Sequence, residues 1–231
     1  MTDPCLLVDC NDGVMTLRLN RPAKLNAIDD TLHGALVDAD LRDDVRVLVL
    51  RGEGRAFCAG RDVSAPPTAA DLESTQAVAR AIVGLRQPVV AAVHGWCVGA
   101  GLEWALCADI VVAAESARFK LPEAALGVFV TGGLCATLPA IAGMARAKAL
   151  MLLGEVFPAA DALAWGLVAS VVADDGFDAE TGRVARRLAA LAPAVAGTFK
   201  QVLNRIGLDR FDAAIEAENA VQHAWMAAPA K

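Results

Sequence analysis

The chain has 231 residues, of which 56% are hydrophobic, and its 21 Lys and Arg against 27 Asp and Glu give a formal net charge of −6. This length is typical of one large domain or of one domain with a small appendage, and the apolar content excludes an intrinsically disordered protein. A net-acidic chain also lacks the basic surface that binds nucleic acid. The high apolar content has three candidate explanations: a membrane-embedded segment, a subunit interface or an apolar ligand site.

The predicted elements alternate between strand and helix in the first half of the chain and are mainly helical in the second. The predicted strands are 14–19, 45–50, 89–93, 110–114 and 168–172. The first predicted helix begins at Thr31, has Leu32, Leu36 and Ala39 on one face, and is capped by Asp29 or Asp30. The other predicted helices are 69–85, 134–142, 145–153, 159–165, 177–191, 194–206 and 211–227. Fully apolar strands separated by helices indicate an α/β core with both sheet faces covered.

A membrane and a secreted location are both disfavoured. Residues 124–145 carry no charge, but Pro139 and the adjacent Gly132 and Gly133 indicate a turn and a short helix rather than a span. The N-terminus lacks the basic region of a signal peptide. The six cysteines form no CxxC pair, so we expect buried thiols in a cytoplasmic protein.

Glycine is concentrated after apolar strands in three segments, at 51–62, 94–103 and 127–133. A dinucleotide site is excluded because Trp104 stands where the third glycine of its motif belongs, and a P-loop is excluded because Gly133-Leu134 replaces its Lys-Ser/Thr pair. The three histidines are far apart along the chain, so a metal site has little support.

The first two glycine segments can bind an oxygen atom through their backbone. A strand, a glycine-rich turn and a helix present free N–H groups at the start of the helix, and glycine lets a substrate approach closely. Two such turns, after Leu50 and after Val93, can direct two N–H groups at one oxygen, which is the geometry of an oxyanion hole. Each turn taken alone is better explained as a tight turn without a ligand.

Two carboxylates lie in apolar surroundings, Glu103 in LEWALC and Glu123 in LPEAALG. A glutamate rarely occupies such a place unless it is paired or functional, and burial would raise its pKa toward neutrality. Both residues are therefore candidates for acid–base chemistry. The alternatives are a surface-facing Glu103 and a Glu123 that caps a helix after Pro122.

Four segments in order resemble the enoyl-CoA hydratase/isomerase family, the crotonase superfamily. They are NRPAKLNA at 20–27, AFCAGRD at 56–62, GWCVGAGLE at 95–103, with its continuation to Asp109, and LPEAALG at 121–127. The resemblance extends over about residues 8–225. It implies a crotonase-like (ClpP/crotonase) α/β fold: a spiral core of ββα units at 1–175 and a C-terminal helical trimerisation region at 176–231. The assembly it implies is a homotrimer or a dimer of trimers.

The resemblance also implies a coenzyme A thioester as substrate and hydration of 2-enoyl-CoA, by syn addition of water, to 3-hydroxyacyl-CoA. The backbone N–H groups of Arg61 and Ala100 would hold the thioester oxygen. Glu103 would deprotonate the attacking water, and Glu123 would deliver a proton to Cα. Coenzyme A is part of the substrate, so no separate cofactor and no metal are expected. Residues assigned to the coenzyme A moiety by the same resemblance are Ala23, Lys24, Leu25, Ala59, Asp62 and Lys200.

Some of these assignments leave alternatives open. Ala59 would meet the adenine through its carbonyl, and Lys200 would reach the phosphates. The alternative for Lys24 and for Lys200 is a solvated surface lysine. The reaction can be Δ3–Δ2 isomerisation or thioester hydrolysis on the same scaffold, or the chain can bind acyl-CoA without turnover. The segments 63–71 and 129–133 depart from the family pattern near the acyl pocket, which bears on chain-length preference.

Overall fold

The computed structural model describes residues 3–37, 44–64 and 68–227, which build two β-sheets and the helices that cover them. Its strands are β1 (Leu6–Asn11), β2 (Val14–Leu19), β3 (Val47–Gly52), β4 (Ala56–Cys58), β5 (Val89–Val93), β6 (Trp96–Val98), β7 (Ile110–Ala114), β8 (Arg118–Lys120), β9 (Phe157–Pro158) and β10 (Ser170–Val172). Its α-helices are α1 (Asp30–Val37), α2 (Ala69–Gly84), α3 (Ala100–Cys107), α4 (Glu123–Leu126), α5 (Leu134–Leu153), α6 (Ala159–Ala164), α7 (Phe177–Ala189), α8 (Pro193–Gly207) and α9 (Phe211–Ala227).

One pattern repeats along the chain: a strand of the larger sheet, a strand of the smaller sheet, and a helix. It occurs as β3-β4-α2, β5-β6-α3 and β7-β8-α4. The larger sheet has the order β1-β2-β3-β5-β7-β10 and the smaller one the order β4-β6-β8-β9. This arrangement confirms the predicted α/β spiral of ββα units.

The larger sheet is covered on both faces, as its apolar strands predict. Its strands from β2 onward pair in parallel, so successive side chains alternate between two cores. Leu48 and Leu50 of β3 face the main core, whereas Val47 and Val49 pack with Phe177 of α7 on the other face. Helix α7 therefore belongs to the same packed unit as the sheet.

The long predicted elements are present, with small shifts at their ends. Strand β3 runs from Val47 to Gly52 rather than over 45–50, and β10 begins at Ser170 rather than at residue 168. Asp29 caps α1 as predicted, accepting the Leu32 N–H at 2.9 Å. Ala39, assigned to one face of α1 from the sequence, lies outside the described residues.

The short strands were not predicted. β4 and β6 lie inside segments that the sequence indicates only as glycine-rich turns. Each is three residues long, so it shows no alternation that a sequence pattern can detect. The glycine-rich turns are thus partly strands of the second sheet, which fixes their backbone next to one another.

Among the described residues, α5 is long and apolar enough to cross a membrane, judged by length and composition, and 22% of its most apolar window is buried. The helix is interrupted at Gly143, whose φ of 76° and ψ of 158° are not helical, and it contains Pro139. Leu134 and Leu138 are fully buried in the main core. These features agree with two packed helices, predicted at 134–142 and 145–153, and give a membrane span only weak support.

Candidate active site

The two glycine-rich turns meet at Gly60. A Cβ atom on this residue would lie 2.7 Å from the Val98 carbonyl oxygen and 3.5 Å from the Ala100 nitrogen, so only glycine allows the two backbones to approach this closely. The φ of Gly60, +83°, is also one that other residues rarely adopt. The N–H groups of Arg61 and Ala100 therefore arise from adjoining stretches of backbone.

Arg61 and Ala100 line the same cavity. Ile28 bridges to Arg61 in parallel: its N–H donates to the Gly60 carbonyl and its own carbonyl accepts from Asp62 N, each at 2.8 Å. Because N–H groups alternate sides along an extended chain, that of Arg61 is directed away from Ile28. The Ala100 N–H belongs to the first turn of α3, where helical N–H groups have no acceptor within the helix.

Helix α3 buries Glu103. All eight of its residues are buried, as expected of a helix that is apolar all round, and Glu103 is 1% exposed. The Gly99 carbonyl accepts the Glu103 N–H at 3.0 Å and so fixes where the helix begins. The alternative of a surface-facing Glu103 is therefore excluded.

The Glu103 carboxylate is held by the loop that precedes α5. Thr131 N donates to Oε2 at 3.2 Å, and Gly132 N donates to the same oxygen. A Cβ atom on Gly132 would lie 2.6 Å from Oε2, so the carboxylate occupies the space that a larger residue at 132 would fill.

Glu123 is the first residue of α4 and lines the same cavity as Glu103. A Cβ atom on Gly99 would lie 2.7 Å from Glu123 Oε1, so Glu123 also uses the space left by a glycine. Its Oε2 is buried, and no hydrogen-bonding partner meets that atom within the described part of the chain. An unpartnered buried oxygen of this kind favours the protonated carboxyl.

Burial raises the pKa of both carboxyls. That of Glu123 is raised to about 7. That of Glu103 is raised well above its ordinary value by burial and then by the charges of Glu123 and Glu218, against the N–H groups of Thr131 and Gly132. The two buried carboxyls therefore titrate as a coupled pair. Two backbone N–H donors favour the anionic form of Glu103, whereas the unpartnered Oε2 of Glu123 favours its protonated form.

These groups line one cavity of about 460 Å³. Its wall contains the four residues assigned to catalysis from the sequence, Arg61, Ala100, Glu103 and Glu123. Its wall also contains apolar residues that could face an acyl group, among them Leu72, Val128 and Phe129. The structure therefore brings together the backbone donors and the carboxylates that the sequence singled out.

Most residues assigned to coenzyme A lie beside this cavity. Ala59 lines it, and its N–H donates to the Leu25 carbonyl at 2.9 Å. Ala23 and Lys24 precede Leu25 on an exposed turn. Hydrogen bonds from Ser64, with smaller contributions from nearby cations, lower the pKa of Asp62 and keep it ionised. Together they form a strip beside the oxyanion turn.

Lys200 does not belong to this strip. Its Nζ donates to the Ile82 and Gln87 carbonyls at 2.8 and 3.2 Å and pairs with Asp109 at 2.8 Å, and its side chain is 3% exposed. With three acceptors already bound, the ammonium group has no donor left for a phosphate. Within this chain, Lys200 is a structural residue whose loss would typically cost about 3–5 kcal/mol because Asp109 would remain unpaired.

Two helix residues at the site were not predicted. Glu218 and Gln222 of α9 bind backbone N–H groups of the loop that holds Glu103. Both are buried, at 0% and 3% exposed. Their partners are backbone groups far away in sequence, so no motif indicates them.

The profile of the Enoyl-CoA hydratase/isomerase family matches residues 9–229. The chain belongs to this family. The match confirms the resemblance drawn from the four sequence segments, and it spans the cavity, both carboxylates and α9. Members of this enoyl-CoA hydratase/isomerase family thus provide the appropriate comparison for the site.

Individual relatives carry out different reactions on coenzyme A esters. The chain is 36% identical over 231 residues to 1,2-epoxyphenylacetyl-CoA isomerase of Escherichia coli (strain K12), covering 94% of this chain and 88% of that one. It is 30% identical to 4-chlorobenzoyl coenzyme A dehalogenase-1 of an Arthrobacter species, covering 94% and 84%. A crystal structure of an enoyl-CoA hydratase from Mycobacterium avium subsp. paratuberculosis K-10 superposes with a TM-score of 0.91 at 34% identity, covering 97% of this chain and 91% of that chain.

Proposed function

We propose that this family member is an enoyl-CoA hydratase that adds water to 2-enoyl-CoA thioesters and yields 3-hydroxyacyl-CoA. The observation that carries the proposal is the pair of buried glutamates in one cavity with unlike surroundings. Glu103 accepts two backbone N–H groups, whereas Glu123 has a buried oxygen without a partner and a pKa near 7. Addition of water needs one base and one acid, which this pair supplies.

The proposed roles follow from the surroundings of each group. The N–H groups of Arg61 and Ala100 bind the thioester oxygen and stabilise the enolate that forms when water attacks Cβ. Glu103 takes a proton from that water. Glu123 delivers its proton to Cα, so each carboxyl changes its protonation state once and the pair still holds one proton afterwards.

Double-bond isomerisation is the second candidate, because the family that the chain matches is described as Enoyl-CoA hydratase/isomerase. Moving a double bond from Δ3 to Δ2 needs mainly one base that removes and returns a proton. The same oxyanion turn would stabilise its dienolate. A second buried carboxylate has no required part in that reaction, which is why we favour hydration.

The test of the proposed function is turnover of the purified protein with crotonyl-CoA and longer 2-enoyl-CoAs. We expect the enone absorbance to fall as 3-hydroxyacyl-CoA forms. A parallel assay with 3-enoyl-CoA detects isomerisation as a rise in the same absorbance. If only 3-enoyl-CoA is turned over, the proposed function changes from hydration to isomerisation. If all these esters bind tightly and none is turned over, the protein is a non-catalytic binder.

We also propose that the protein works as a cytoplasmic homotrimer or dimer of trimers. Apolar side chains of α8 remain exposed in one chain, with Phe199 at 68%, Leu203 at 64% and Ile206 at 70%. Phe199 and Leu203 also line a second cavity of about 510 Å³, together with Lys200. Large apolar side chains that are exposed together typically mark an interaction surface. Light scattering during gel filtration should show a trimer or hexamer, and a monomer would contradict this assignment.

A further inference from the structure

Three hydrogen bonds join helix α9 to the 129–135 segment, which comprises the loop before α5 and the first two residues of that helix. Phe129 N donates to Gln222 Oε1 at 2.7 Å. Gly133 N and Cys135 N donate to the two carboxylate oxygens of Glu218, each at 2.8 Å. The carboxylate of Glu218 is fully buried, so water does not compete for these bonds.

The same segment supplies both backbone donors to Glu103. Thr131 N and Gly132 N lie between the N–H groups that α9 binds. Gly132 and Gly133 are adjacent, and their N–H groups go to Glu103 and Glu218 respectively. The N–H that binds Glu218 and an N–H that binds the Glu103 carboxylate therefore belong to successive residues.

Packing leaves this arrangement little freedom. A Cβ atom on Gly133 would overlap the ring of Phe211 at the start of α9, so the helix lies directly against the segment. Gly133 also has a φ of +78°, which residues other than glycine rarely adopt, so this position does not readily accept another residue. A shift of Glu218 would thus move the segment rather than be absorbed by a gap.

We propose that Glu218 is a positioning residue for Glu103: it fixes the 129–135 segment so that Thr131 N and Gly132 N hold the Glu103 carboxylate in place. This inference rests on the proposed function, since Glu103 is the residue that takes the proton from water. Glu218 does not itself touch the substrate, because both of its oxygens are engaged by Gly133 and Cys135.

A purely structural role would have a different signature. Glu218 binds N–H groups at the start of α5, so it also caps that helix. A cap acts on stability alone, and its loss would lower activity by the same factor whatever residue occupies position 103. A positioning residue acts through Glu103, and its loss should have no further effect once Glu103 has been replaced.

The decisive experiment is a double-mutant cycle in the intact protein with crotonyl-CoA. Glu218→Gln keeps the size of the side chain, but its amide NH₂ faces the N–H of either Gly133 or Cys135 and cannot accept a hydrogen bond from it. We expect kcat to fall about 10-fold or more with KM nearly constant, because one hydrogen bond to a buried carboxylate is lost. In the Glu103→Gln background the same change should alter kcat less than about twofold. An equal loss in both backgrounds, or no loss in the parent, would overturn the proposal.

Hydrogen exchange gives a readout that does not depend on turnover. In Glu218→Gln, exchange at Thr131 and Gly132 should be at least about 10-fold faster than in the parent, while α1 exchanges as before. Unchanged exchange at these two amides would refute the positioning role. If the parent protein turns over no enoyl-CoA, the proposed function fails, and the exchange result still decides what Glu218 does.

Ile215→Val is the matched control for stability. Ile215 is fully buried in the same helix, but its side chain has no polar group to bind the segment. We expect a lower unfolding midpoint with kcat and exchange at Thr131 unchanged. If Glu218→Gln does not fold, Glu218→Asp retains the charge and withdraws the carboxylate by one methylene, and the same cycle is measured with it.

Discussion

Glu103→Gln is expected to lower kcat for enoyl-CoA hydration by about 10²–10⁴-fold, with a small change in KM. An amide cannot take a proton from water. It also places an NH₂ group against the N–H of Thr131 or Gly132, both of which donate to the carboxylate in the parent. The N–H groups of Arg61 and Ala100 and the coenzyme A strip are untouched, so substrate binding should persist. Steady-state kinetics with crotonyl-CoA measures both quantities.

Glu73→Gln is the matched control for this change. Glu73 lies exposed on α2, so the same replacement there removes a carboxylate without entering the cavity. Its kcat should equal that of the parent. Full hydration activity in Glu103→Gln would remove the base from the proposed mechanism. Isomerase activity that survives this change and is lost in Glu123→Gln would assign the protein to the one-base reaction.

Glu123→Gln is expected to reduce hydration by a similar factor and to change the pH profile as well. Burial raises the pKa of Glu123 to about 7, so its proton is present below that pH and is lost above it. Hydration by the parent should therefore fall about 10-fold per pH unit above the pKa, because the acid that protonates Cα disappears. The residual activity of Glu123→Gln should lack this alkaline limb, since an amide does not titrate there.

The reverse reaction provides an internal control on these pH measurements. Overall hydration consumes no proton, so the pH profiles of kcat/KM for hydration and dehydration must run parallel. If the fall in activity at alkaline pH persists unchanged in Glu123→Gln, another group supplies the proton to Cα. Glu73→Gln again serves as the control, and it should keep the parent profile in both directions.

The sequence predicts the carboxylate pair because each glutamate interrupts an apolar stretch. Glu103 sits in a helix whose eight residues are all buried, and a charged side chain there is conspicuous without any structure. The backbone donors are predictable for a related reason, since glycine after an apolar strand indicates a turn with exposed N–H groups. The sequence does not reveal that Gly60 lies close to Ala100 N, which is the contact that joins the two turns into one site.

Lys200 and Glu218 show where this reasoning fails. Both are charged residues on helices with exposed faces, and the sequence pattern around them is that of any amphipathic helix. Lys200 is buried because Asp109 lies opposite it, and Glu218 is buried because two peptide N–H groups lie opposite it. Such partners arise from tertiary packing, so composition and periodicity alone cannot reveal them.

The hydrogen bonds from α9 also determine when the site can form during folding. Gly133 and Cys135 are separated by 85 and 83 positions from the glutamate that binds them. Closing so long a loop costs chain entropy, so contacts of this kind form late, after the local ββα units. During synthesis on the ribosome, the 129–135 segment lacks its hydrogen bonds to Glu218 and Gln222 until α9 has emerged. The newly made chain can thus assemble its sheets before the Glu103 carboxylate acquires its final surroundings.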